Sequence, residues 1–133
     1  MKTLLVAIRV AVLAVLFVYT LPATAATATI TLLNAPPTDL AVGESYTVDI
    51  QVVSDEPFHL AIALGDAEFP AYLLSSVDVA QNATLAVLHL TFTGNRSTAE
   101  LPGGVTAAGI AVGIFYAGGE QISQRFDFAV AVH

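Results

Sequence analysis

The chain has no cysteine and no tryptophan in 133 residues. Without cysteine no disulfide can staple the fold, no thiolate can hold a metal, and no lipid-modified N-terminal cysteine exists. Lys2 is the only lysine, and the other strong bases are Arg9, Arg96 and Arg125. Past Arg9 there is therefore no lysine for an isopeptide crosslink or for Schiff-base chemistry. Eleven acids against four bases give a net charge of −7, and every acid lies beyond residue 26. Nucleic acid and anionic membranes are bound by clustered Lys and Arg, so this balance excludes both as partners. It favours solubility and association with cations.

What is present begins with an address. Lys2 and Arg9 precede an uncharged apolar run, Val10 to Leu21, which Pro22 breaks before Ala23-Thr24-Ala25. A positive start, an apolar core and an A-x-A site make a secretory signal peptide over residues 1–26. The run is too short for a membrane span, which needs about 20 apolar residues; an uncleaved anchor is the alternative reading. Residues 27–133 then form one domain by length.

Alternation with a period of two runs through that domain. Tyr46, Val48, Ile50 and Val52 form one stripe within Ser45–Ser54. Phe58, Leu60, Ile62 and Leu64 form a second, with His59, Ala61 and Ala63 opposite. Ala86, Leu88, Leu90 and Phe92 form a third; Ile110, Val112, Ile114 and Tyr116 a fourth; Phe126, Phe128, Val130 and Val132 a fifth. Each stripe predicts a half-buried strand. Residues 27–33 and 71–75 are shorter candidates. Turn residues separate the runs: Asn34 to Asp39, Asp55-Glu56-Pro57, Gly65-Asp66, Gln81-Asn82, Gly94-Asn95, Pro102-Gly103-Gly104 and Gly118-Gly119. The last pair predicts a hairpin of 105–116 with 121–132. Seven strands and no capped amphipathic helix give an all-β, two-sheet sandwich of the immunoglobulin type.

The opening Leu40-Ala41-Val42-Gly43-Glu44-Ser45-Tyr46-Thr47-Val48 and the closing Phe126-Asp127-Phe128-Ala129-Val130 resemble exported Ig-like domains of bacteria and archaea, of the CARDB-like or fibronectin-type-III-like kind. The resemblance covers roughly residues 27–132. It implies an Ig-like fold and an extracellular structural role, and it transfers no site residues. The chain departs from antibody-type domains in lacking the cysteine pair, the core tryptophan and a clear tyrosine corner.

Candidate chemistry is sparse. No G-x-S-x-G elbow or phosphate-binding glycine loop occurs, so no enzyme and no cofactor are expected. His59 and His89 fall on outward phases, and a zinc site would need them adjacent with a third ligand; with His133 they are read as solvated surface histidines. Asp55, Glu56, Asp66 and Glu68 match no Ca²⁺ loop and are read as acidic turns. Asn82-Ala83-Thr84 and Asn95-Arg96-Ser97 are sequons, which makes Asn82 and Asn95 candidate glycosylation sites. The outward phases of three strands carry Ala61, Ala63, Ala107, Gly109, Ala111, Gly113, Ala129 and Ala131. Small residues are poor strand formers on a solvated face, so this flat patch is the candidate interface. The expected function is an exported cell-surface or extracellular structural or adhesive module, acting through a protein partner or self-association. The alternative is a soluble secreted or periplasmic protein that binds a small ligand or cation.

Overall fold

The computed structural model describes residues 25–67 and 71–133. Most of the leader and Glu68 lie outside the described residues. Seven strands follow in order: β1 Ala28–Leu32, β2 Asp39–Leu40, β3 Ser45–Ala67, β4 Leu73–Ser75, β5 Val77–Gly94, β6 Thr106–Phe115 and β7 Gln121–Val132. Among the described residues the one helical element is a single turn, Pro102–Gly104, whose Gly103 and Gly104 have positive φ.

Hydrogen bonding runs continuously in the order β2-β7-β6-β3-β5-β4, with β1 paired to the first half of β3 on the edge opposite β5. The two longest strands fold this ribbon into layers. Asp78 Oδ2 accepts the His89 backbone N–H at 2.7 Å, although both residues belong to β5. Eleven residues of straight strand would separate them by about 36 Å. β5 must therefore double back, and β3 does so beside it. One layer holds β1, the first half of β3, the second half of β5, and β4. The other holds the first half of β5, the second half of β3, then β6, β7 and β2.

The corner in β3 falls where the register with β5 shifts, between Val53 and Phe58. The Ser54 and Tyr116 hydroxyls hydrogen-bond at 2.7 Å, and Ser54 Oγ also donates to the Glu56 carbonyl at 2.7 Å. The Thr27 N–H donates to Asp55 Oδ1 at 2.9 Å, which holds the Asp55 carboxyl below its usual pKa and ties the start of β1 to the bend. On β5 the matching corner lies at Asn82, the one described non-glycine residue with positive φ (54°). Asp55-Glu56-Pro57, expected to end a strand, instead bends a continuous one.

This bend reverses one predicted face. Val48, Ile50 and Val52 point inward as expected and are fully buried. Past the corner the buried positions are Phe58, then Ala61 and Ala63, both at 0% exposure. Ala61 and Ala63 pair with the buried Ile114 and Val112 of β6, so they share the inner face. Leu60, Ile62 and Leu64 turn outward. A period-two pattern reports alternation but not which phase is inside once a bulge intervenes. The crowded centre takes the small side chains.

The other stripes keep their predicted phase. Leu88, Leu90, Phe92, Ile110, Val112, Ile114, Val130 and Val132 are buried, Phe126 and Phe128 are half-buried, and Ala129 is exposed. β6 and β7 form the expected hairpin, closing at Phe115 opposite Gln121. Two strand segments were not foreseen. β2 is two residues long and pairs in parallel with Ala131 and Val132 of β7. Residues 77–83 extend β5 along the second half of β3.

One buried polar group lacks a partner. Thr106 is 1% exposed, and its Oγ1 makes no hydrogen bond with the described residues. Burying an unsatisfied hydroxyl costs about 1–3 kcal/mol. The isosteric Thr106→Val is therefore expected to stabilise the protein by about 1 kcal/mol. A urea titration would show a higher midpoint at unchanged slope.

Candidate functional site

The outward turn of Leu60, Ile62 and Leu64 builds an apolar face across four strands. Register defines three rows. Val77, Leu64, Ala111 and Arg125 form the first; Val79, Ile62, Gly113 and Ser123 the second; Gln81, Leu60, Phe115 and Gln121 the third. No acid lies in these rows, in a chain with eleven of them. Val77, Val79 and Leu64 are 56%, 46% and 41% exposed. Each position on one face of a sheet covers about 33 Å², so the rows span about 400 Å². Eight of the twelve positions are apolar, about 260 Å², and Gln81, Arg125, Ser123 and Gln121 stand at the ends of the rows.

A trough of about 500 Å³ runs through this face, lined by Ile62, Leu64, Ala111, Gly113 and Phe115, with Ser123 and Arg125 on its β7 side. Small residues at 111 and 113 leave the depression, and the Phe115 ring leans toward Gly113. Arg125 closes one end. Its Nε donates to Asp127 Oδ1 at 2.7 Å and its Nη2 to Asp66 Oδ2 at 3.0 Å. These bonds, to Asp127 first and then Asp66, raise the arginine pKa above its usual value. Two carboxylates flank the one guanidinium and leave the cluster at net −1, so the trough presents apolar surface beside a paired ion cluster rather than a free cation.

The small residues expected to form the interface are thus divided. Ala107 and Ala129 are exposed, and Ala111, Gly113 and Ala131 are half-buried. Gly109 is covered by Arg125: a Cβ there would stand 2.8 Å from the guanidinium carbon. Ala61 and Ala63 face the core, which corrects their expected outward placement. Exposed Leu64 takes their place, from a stripe that alternation alone puts inside, together with Val77 and Val79 from a segment in which the sequence predicts no strand.

The remaining candidates disperse. His89 Nδ1 is 2.7 Å from Asp49 Oδ1, at the end of a polar ladder in which Thr47 meets Thr91 at 3.0 Å and Ser45 meets Thr93 at 2.8 Å. His59 is exposed near the corner, and His133 Nε2 is 3.1 Å from Asp39. Asp55 is taken by Thr27 and Asp66 by Arg125. Among the described residues no three His, Cys, Asp or Glu side chains gather as metal ligands. Asn82 and Asn95 are both exposed, and Asn95 Nδ2 donates to the Ala71 carbonyl at 2.8 Å.

No protein-family model matches the chain, and no curated protein matches its sequence. Solved structures match it in shape. Domains 4 and 5 of the S-layer protein SbsC align with a TM-score of 0.50 at 14% identity, over 78% of this chain and 50% of that one. The ASH/PapD-like domain 7 of human CEP192 aligns with a TM-score of 0.52 at 12% identity, over 86% of this chain and 92% of that one. The chain spans half of the S-layer structure and nearly all of the CEP192 domain. At these identities the shared property is the fold, and the chain is an all-β sandwich of the immunoglobulin-like type.

Proposed function

We propose that this chain is an exported structural or adhesive module of the cell surface or extracellular space, acting by protein–protein contact through the outer face of β5, β3, β6 and β7. The observation that carries this reading is the set of three apolar rows with Val77, Val79 and Leu64 exposed. Their apolar area of about 260 Å² is a third of the roughly 800 Å² per partner of a standard interface. It therefore suits a weak or repeated contact. Export rests on the leader. Cleavage after Ala25 would leave Ala26 as the first residue, and its nitrogen lies 3.0 Å from Glu120 Oε1. Cleavage farther on would remove that bond. The opening strand and terminal hairpin favour a CARDB-like or fibronectin-type-III-like module.

The trough volume supports the second reading, a secreted or periplasmic protein for a small ligand, since ligand sites measure about 300–1,000 Å³. The paired state of Arg125 then favours an apolar ligand over an anion.

Labelled protein added to intact host cells is expected to bind the envelope. Leu64→Lys should weaken that binding about tenfold, or 1.4 kcal/mol, at an unchanged melting temperature. Intact mass should place the exported chain's first residue between Ala26 and Thr29. Undiminished binding by the lysine variant overturns the role of the face. Recovery of the native chain in the cytoplasm with its leader attached overturns export.

A further inference from the structure

The edge of β7 points to a specific partner. β2 covers this edge only at Ala131 and Val132. Among the described residues no strand pairs with it from Gln121 to Val130. The direction of its free groups follows from the bonds at its end. The Ala131 N–H donates outward to the Thr38 carbonyl at 3.0 Å and the His133 N–H to the Leu40 carbonyl at 2.9 Å. Val132 N–H donates the other way, to Thr98 Oγ1 at 2.9 Å. By strand alternation Gln121, Ser123, Arg125, Asp127 and Ala129 aim N–H and C=O groups outward. The edge has no proline and no register shift. Natural edges are usually short, bulged or blocked by charge, because such a row of groups accepts another strand.

We propose that this edge pairs antiparallel with the same edge of a second copy, in a register centred on Phe126. The charges select both the partner and the register. With Phe126 opposite itself, Arg125 faces the second copy's Asp127 and Asp127 faces its Arg125, on one sheet face. Opposite charges directly across a strand pair stabilise it. The neighbouring registers that keep the outward groups opposed place Arg125 against Arg125 or Asp127 against Asp127, and like charges destabilise. Arg125 is 48% exposed and Asp127 73%, so both remain accessible beyond their bonds within the chain. Ser123 then meets Ala129, two small residues that fit without a clash. The centred register makes about eight backbone hydrogen bonds. In an acidic chain this edge is a self-complementary stretch in which each Arg125 meets a carboxylate and no two like charges stand directly opposite. The pairing uses the sheet's edge rather than its apolar face, and it supplies the kind of partner, a second copy, for the contact role proposed above.

The native absence of cysteine makes the register testable by oxidation. Ser123→Cys and Ala129→Cys are surface changes, and the proposed register places them opposite each other within disulfide reach. An equimolar mixture of the two variants should yield about tenfold more disulfide-linked dimer than either variant alone. Native protein should sediment as a dimer at high concentration, and Asp127→Arg should shift it toward monomer. Leu64→Lys should leave the cross-link unchanged, since Leu64 lies two strands away, so loss of face binding and loss of edge pairing read separately. Equal cross-linking by each single variant, a dimer without the mixed cross-link, or a monomer throughout would overturn the proposal.

Discussion

Phe92→Ala is expected to cost about 3–5 kcal/mol. Phe92 is 0% exposed, pairs with Tyr46 across β3 and with Ser75 across β4, and meets the Phe128 ring edge-on at 5.3 Å and 84°. Truncation would empty a site enclosed by both layers at once. With total stabilities of about 5–15 kcal/mol and no disulfide in reserve, the loss brings the domain near unfolding at ambient temperature. Phe128 supplies the internal contrast. It sits on the inner phase of β7 but is only half-buried, so Phe128→Ala should cost about half as much. Denaturant midpoints measured on both variants decide it; equal shifts would contradict the burial difference.

Gly65→Ala should cost about 1–3 kcal/mol, near the top of that range for overpacking. A Cβ at Gly65 would fall onto the Ser75 Cβ, well inside contact distance, and 3.0 Å from the Phe92 ring. The obstacle is not a flexible tip. Ser75 is held in β4 by pairing with β5, so the methyl must push a whole edge strand away. Gly118→Ala is the control, because nothing lies within 4 Å of a Cβ there; its effect should stay within about 0.5 kcal/mol. Ser75→Gly should restore most of the loss in the Gly65→Ala background. Thermal unfolding of these three variants tests the contact, and an absent rescue would place the strain elsewhere.

Several elements were legible from residue order alone. The stripes at 46–52, 86–92, 110–116 and 126–132 could be oriented because each lies on a strand segment with unbroken alternation and one clearly larger face. The Gly118-Gly119 hairpin was legible because a two-residue glycine signal joins two strong strands. β2 was not, because two residues cannot display a period. Phe58 is buried as its stripe predicts, but from Leu60 to Leu64 the opposite side lies inside. The larger side chains there suggest the core, yet the phase changes between Phe58 and Ala61 just past the corner, and Ala61 and Ala63 lie on the inner face beside Ile114 and Val112.

The candidate site followed from that reversal. Small residues at 111 and 113 were visible in the chain, but the apolar rows beside them appeared only when β3 turned Leu60, Ile62 and Leu64 outward and β5 brought Val77 and Val79 alongside. Composition and local alternation determined that the protein has no disulfide, carries a strong acidic excess and forms β-sheet past the leader. Those properties are sums and local periods, which need no fold to evaluate. The tertiary structure decided which face of β3 meets solvent, which residues enclose Arg125, and which edge of β7 stays unpaired. Each of these depends on where a strand bends and what lies across from it, and neither is a property of neighbours in sequence.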